Sequence, residues 1–220
     1  MPVHGGPNTV EDGLVLSLDA ADRNSYPGSG TTWYDLSGNG NSGTLTNGPT
    51  FDSGNQGSIV FDGANDVVII NDGLYSLSGG TLNIWFKRSG TTNAIIGSYG
   101  GSNNQRTPTF YQNGSNIGWE FGSLTGRSTG VTFTDNTWFN MSMTFNSSFN
   151  TNVYINSTLT NTQTSSNPGG FWNQFTIGKY GNYGSFYSKG NFSIVQIYNR
   201  ALSASEILQN YNAQKSRFGL

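Results

Sequence analysis

The 220-residue chain carries 12 acidic and 10 basic side chains, and only 10% of it is charged, against roughly 25% in an ordinary soluble domain. The net charge of −2 comes without basic clustering, which argues against nucleic acid or an anionic membrane as the main partner. There is no cysteine and one histidine, His4, so disulfide scaffolds, thiolate or zinc sites and triad chemistry all lack their parts.

Residues 1–12 read as an N-terminal arm. Met1-Pro2-Val3-His4-Gly5-Gly6-Pro7-Asn8 has neither the basic start nor the apolar stretch of a secretory signal. Strand alternation begins at 13–19, with Leu14, Leu16 and Leu18 on one face and Val15, Ser17 and Asp19 on the other. The Gly- and Asn-rich stretch 22–57 is expected to be a long surface connection holding a short strand. Residues 66–70 are apolar on both faces, which places them centrally or under a loop. In 81–87, Leu82, Ile84 and Phe86 oppose Asn83, Trp85 and Lys87. Residues 99–130 suggest hairpins with large turns. The clearest alternation is 138–145, where Phe139, Met141, Met143 and Phe145 face in and Asn140, Ser142 and Thr144 face out.

The run 192–198 is again apolar on both faces. A short helix follows, opened by Ser203 and Glu206 at capping-box spacing, with Leu202, Ile207, Leu208 and Tyr211 as its apolar stripe. Residues 213–220 read as a C-terminal tail. No apolar run approaches the roughly 18 residues needed to cross a bilayer. Asn-X-Ser/Thr triplets at Asn113, Asn140 and Asn146 are expected by chance in so Asn-rich a chain. Neither a repeat nor a linker divides the chain, so one all-β sandwich over 13–212 is the economical reading.

Five stretches, in order, resemble the laminin-G-like branch of the concanavalin A-like lectin/glucanase superfamily. Gly13-Leu14-Val15-Leu16-Ser17-Leu18-Asp19-Ala20, with Trp33-Tyr34-Asp35-Leu36-Ser37-Gly38-Asn39-Gly40-Asn41-Ser42-Gly43-Thr44-Leu45, is similar to its opening strand and D-x-S-G-N-G-N-x-G-T-L loop. Phe61-Asp62-Gly63-Ala64-Asn65-Asp66 matches its F-D-G-x-N-D hairpin, and Gly80–Lys87 its strand with a central Trp. Trp138–Phe145 stands where the family carries W-x-H-x-A-x-x-Y, and Val195–Ser203 with Glu206-Ile207 resembles its closing strand and helix. The resemblance implies a two-sheet antiparallel jelly-roll sandwich with first and last strands close together and one short C-terminal helix. Ser193 stands where the family often has Asp, and Asn156-Ser157 replaces its usual D-G turn.

Glucanases share this superfamily, and glycoside hydrolysis needs two facing carboxylates. The chain has three glutamates, Glu11, Glu120 and Glu206, scattered over the arm, a strand and the helix. Glu120 alone sits between aromatics on an expected strand, without a second acid nearby, so no enzyme is expected. Asp35, Ser37 and Asn39 place oxygen donors at positions one, three and five of a loop, as in half of a calcium site. The twelfth position is Thr46, and the simpler reading is a turn whose side chains cap backbone amides; no cofactor is required. Asp62 and Asp66 read the same way. Arg200 and Lys179 are expected in salt bridges rather than at a ligand. Sugar stacking or a protein interface is expected in the aromatic loop stretch 171–187, from Trp172, Tyr180, Tyr183 and Tyr187 beside Asn173 and Asn182, whereas Trp33, Trp85 and Trp138 belong to the core.

Leu16-Ser17-Leu18-Asp19-Ala20-Ala21-Asp22, with Asn24-Ser25-Tyr26 and Thr32-Trp33-Tyr34-Asp35, resembles laminin-G-like domains met in tailed-phage structural proteins. It implies a non-catalytic virion surface protein, a head decoration or a tail or fibre component, with other virion proteins, further copies of itself and host glycans as partners. The arm and tail would then order on assembly. A free-standing carbohydrate-binding lectin is the alternative.

Overall fold

The computed structural model describes residues 8–71, 74, 78–90, 94–97, 107–166, 174–179 and 186–220. The strands, in chain order, are β1 (Leu14–Asp19), β2 (Thr32–Trp33), β3 (Gly43–Thr46), β4 (Thr50–Asp52), β5 (Ser58–Asp62), β6 (Val67–Asn71), β7 (Gly79–Arg88) and β8 (Ala94–Gly97). They continue as β9 (Thr109–Asn113), β10 (Asn116–Phe121), β11 (Leu124–Thr132), β12 (Trp138–Asn146), β13 (Asn150–Ile155), β14 (Thr158–Thr164), β15 (Gln174–Ile177) and β16 (Lys189–Tyr198). One helix, α1 (Ala204–Gln214), runs into a 3₁₀ turn, Lys215–Phe218.

Two antiparallel sheets stack face to face, as the alternation predicts. Sheet I has the order β14-β13-β12-β7-β16-β5-β4, and sheet II the order β11-β10-β9-β8-β15-β6-β3-β2. In sheet I, β16 pairs with β7 along one edge and shares its other edge between β5 and β1. The first and last strands are therefore neighbours, as expected. The core between the sheets takes Leu16 and Leu18 from β1, Leu82, Ile84 and Phe86 from β7, Met141, Met143 and Phe145 from β12, and Val195 and Ile197 from β16. Sheet II answers with Trp33, Val68, Ile70, Phe110, Ile117, Trp119, Phe121 and Ile177.

Local chemistry sets the connections. The β13–β14 turn uses Asn156 and Ser157 at φ 49° and 62°, so this hairpin forms without glycine and accepts the left-handed cost at a serine. A register shift between Leu14 and Leu16 turns Leu14 away from the core, onto a cluster with Val10, Tyr198, Leu202 and Ile207. The 22–57 connection holds three short strands where one was expected.

The outer face of sheet I is covered, and this is where the sequence reading fell short. Asn83, Asn140, Ser142 and Thr144 do point away from the core, yet each is buried. Their cover is α1 and the residues after it. Ser203 accepts from the Glu206 amide and Glu206 reaches back, closing the expected capping box. The helix buries Ile207, Asn210 and Gln214, while Leu208, expected in its apolar stripe, is 47% exposed. The inward stripe carries amides because the strand face beneath it is itself polar.

Residues 213–220, read from sequence as a tail outside the domain, fold onto this face. Phe218 stacks on Trp85 at 4.1 Å between centroids and packs against Trp138 at 4.7 Å. Arg217 donates to Asp19 (2.6 Å), to the carbonyls of Asn55 and Gly57 (both 2.8 Å) and to Ser193. Ser193 also donates to Gly57 O (2.6 Å), so the position where the family often has Asp serves the C-terminal segment. A side chain at Gly57 would put its Cβ 2.4 Å from the Ala20 carbonyl oxygen, so only glycine fits this crossing. The end of the arm is tied down as well: the Val10 amide donates to Asn210 (2.8 Å), and the Tyr198 hydroxyl donates to the Val10 carbonyl (3.0 Å).

Candidate functional site

Of the aromatic-loop residues expected to contact a sugar, Trp172, Asn173, Tyr180, Asn182 and Tyr183 lie outside the described residues. Tyr187 is described. It bridges to Lys179, whose ammonium stands 5.7 Å from the ring centroid, beside Phe186 at 42% exposure. This corner combines an aromatic and a cation.

The Asp35 loop is built as a turn. Asp35 Oδ1 accepts from the Ser17 and Ser37 amides (2.8 and 2.9 Å), and Oδ2 from the Ser37 hydroxyl and the Asn41 amide (2.8 and 3.0 Å). The Ser37 hydroxyl oxygen also lies 3.1 Å from the Val15 carbonyl, and Asn39 donates to the Leu14 carbonyl. All three residues expected as possible calcium ligands thus fasten the loop to the edge of β1. At the β5–β6 hairpin, Asp66 accepts from the Asp62 amide (3.0 Å) and Asp62 from the Ala64 amide (2.7 Å). Burial raises the Asp66 carboxyl above its ordinary value; the bond from the Asp62 amide opposes this and the Asp62 charge adds to it.

The remaining charged candidates have structural work. Glu120 is buried and accepts from the Gly126 amide (3.0 Å) across the β10–β11 turn. Arg200 grips Glu206 with two bonds (2.6 and 3.1 Å) and Asp12 with a third (2.8 Å). Its fork holds the Glu206 carboxyl down to about 2.

What sequence reasoning missed is a cleft of about 820 Å³ on the outer face of sheet I. Its floor comes from two cross-strand rungs of β1 and β16, Ser17 opposite Gln196 and Asp19 opposite Ile194. One wall is the bend after β1, with Ala21, Asp22 and Arg23, together with Leu36, which is 41% exposed. The other is the C-terminal segment, with Asn212, Gln214, Ser216 and Arg217, and Asn8 and Thr9 of the arm complete the rim.

Charges in the lining balance, two acidic against two basic, with Asp19 and Arg217 already joined at 2.6 Å. Ser17 and Gln196 are buried, yet the Ser17 hydroxyl and the Gln196 amide nitrogen have no partner among the described residues. Such a floor can hydrogen-bond a neutral polar ligand beside the apolar side chain of Ile194. The sequence signal was slight: a glutamine between Val195 and Ile197, within the apolar end of the last strand.

The sequence profile of the laminin-G-like type in the concanavalin A-like lectin/glucanases superfamily matches residues 62–208. The chain belongs to this superfamily. No curated protein matches the sequence. Among solved structures, domain 4 of AbnA, an extracellular arabinanase from Geobacillus stearothermophilus, in complex with arabinotriose, superposes with a TM-score of 0.70 at 19% identity. That match covers 90% of this chain and 98% of the other. The sialidase of Trypanosoma rangeli, in complex with 2,3-difluorosialic acid, gives a TM-score of 0.74 at 17% identity over 99% of this chain. The binding domain of Paraclostridial Mosquitocidal Protein 1 gives 0.68 at 19% over 92%. This chain spans about half of that binding domain (52%) and about a third of the sialidase (36%). At these identities the likeness is one of fold.

Proposed function

We propose that this protein is a non-catalytic carbohydrate-binding module, and that the cleft over β1 and β16 holds the saccharide. The observation that carries the reading is the floor itself: Ser17 and Gln196 lie side by side, buried, each with one open polar group, in a cleft of ligand-site size. Both groups face the open cleft with no partner among the described residues, so a ligand can pair with them directly. The arabinotriose held by AbnA domain 4, a protein of the same fold and nearly the same length, supports a saccharide as occupant. The engagement of the acids supports binding without catalysis: Glu120 caps a turn, Glu206 pairs with Arg200, and in the cleft Asp19 pairs with Arg217 while Asp22 accepts from the Asn24 amide.

The setting we propose for the module is the virion surface of a tailed phage, as a head decoration or a tail or fibre component beside further copies of itself, with host glycans as ligand. The low charge and the abundance of small polar residues support that setting.

The decisive experiment is a glycan array probed with the wild-type protein and with Ser17→Trp, which fills the cleft. Binding by wild type that falls at least tenfold in the variant is expected. Binding lost in Trp172→Ala but kept in Ser17→Trp would move the site to the aromatic loop. Repeating the array with a chelator tests any calcium requirement at Asp35, and none is expected. Mass spectrometry of purified, salt-washed particles tests the setting, and absence from them would sink it.

A further inference from the structure

The cleft is joined to a chain of side-chain amides that runs beneath α1, and that chain has a direction. At one end stands the Trp85 indole, which can donate a hydrogen bond and cannot accept one. It donates to Gln214 Oε1 (2.7 Å), so the Gln214 nitrogen is turned onward and donates to Gln196 Oε1 (3.0 Å). At the other end stands the Ile84 backbone carbonyl, which can only accept. Asn140 Nδ2 donates to it (3.2 Å) and to Asn83 Oδ1 (2.9 Å), where the Ser142 hydroxyl donates as well (2.7 Å). The Asn83 nitrogen is thereby turned onward, and it too donates to Gln196 Oε1 (3.0 Å).

Two lines of fixed polarity converge on one oxygen. Gln196 cannot flip without setting nitrogen against nitrogen on both sides, in a region where no water competes. Its oxygen is held inward, and its nitrogen is the part of the amide left for the cleft.

We infer that the Gln196 side-chain nitrogen is the specificity-determining donor of the cleft, and that Gln214 and Asn83 are positioning residues that hold it in that sense. This rests on the reading of the cleft as a saccharide site and sharpens it. The ligand turns a proton-free oxygen to this point of the floor, a ring, glycosidic or carbonyl oxygen. An ammonium or amide N–H in that place meets a fixed donor and is rejected. Neutral hydroxylated sugars fit, and sugars presenting a free amine there do not.

Gln196→Glu is the direct test, because it keeps the shape and the inward acceptor while replacing the outward donor by an acceptor. Binding to arabinotriose and to a panel of neutral oligosaccharides is measured by calorimetry for wild type and variant, with folding checked by near-UV circular dichroism. At least tenfold weaker binding by a folded variant is expected for whichever sugar the wild type binds, and equal binding would overturn the inference. The polarity of the chain is tested separately, on the wild-type protein without ligand, by hydrogen exchange of side-chain amides in NMR. Slow exchange is expected for the Trp85 indole and for the Asn83 and Gln214 amides, with fast exchange at Gln196. A protected Gln196 nitrogen, or an unprotected Gln214, would overturn the inference even if the variant failed to fold. Should wild type bind no sugar while the exchange pattern holds, the saccharide reading fails and the fixed donor stands.

Discussion

The two faces of the central strands of sheet I are both buried, and they are buried by different rules. Toward sheet II, β7, β12 and β16 present Leu82, Ile84, Phe86, Met141, Met143, Phe145, Val195 and Ile197. Toward α1 the same strands present Asn83, Asn140, Ser142 and Gln196 around a small aromatic island of Trp85, Trp138 and Phe218. The apolar face is stabilised by area removed from water, so it tolerates imperfect polar matching; the indole N–H groups of Trp33 and Trp119 are buried on that side with no partner among the described residues. The polar face gains little per hydrogen bond and loses much for each one left unmade. It is therefore ordered by pairing, and it opens to the cleft where pairing stops, at Gln196 and Ser17.

Truncation on the apolar face gives the largest expected loss. Phe86→Ala removes a ring packed on Phe192 at 4.7 Å and on Phe133 at 6.2 Å, and about 3–5 kcal/mol of stability should go with it in chemical denaturation. Loss of an isolated surface side chain's worth, under about 0.5 kcal/mol, would break the contrast between the faces. On the polar face, Arg217→Ala should cost about 2 kcal/mol, because Asp19, Ser193 and two carbonyls lose one shared, partly buried partner. Arg217→Lys should recover only part of this, since one ammonium cannot span the four acceptors.

A smaller effect is expected at the start of α1, where Arg200 and Glu206 are about 30% exposed. The folded carboxyl titrates at about 2, below its ordinary value of 4.5, so its contribution is complete above about pH 4.5 and is lost as pH falls through 2. After discounting for solvent, the gap between wild type and Glu206→Gln should be about 1 kcal/mol at pH 7 and close to nothing below pH 2. A gap that widens on acidification would have the wrong sign. Leu208→Ser should change stability by less than about 0.5 kcal/mol, because this helix turns amides inward and that leucine to solvent. A large loss there would restore the apolar stripe expected from the sequence.

The alternation at 81–87 and 138–145 determined which side chains form the sandwich core, because a period of two has one solution for a half-buried strand. Ser203 and Glu206 likewise determined where the helix begins, since that spacing satisfies two orphan amides locally. Only the tertiary structure decided that the positions opposite the core are covered too. A polar residue on a strand reads as exposed unless something packs over it, and here the cover comes from residues 204–218, far along the chain. The cleft was hidden for the same reason. Ser17 and Gln196 are 179 positions apart in the sequence and become neighbours only when the first and last strands pair.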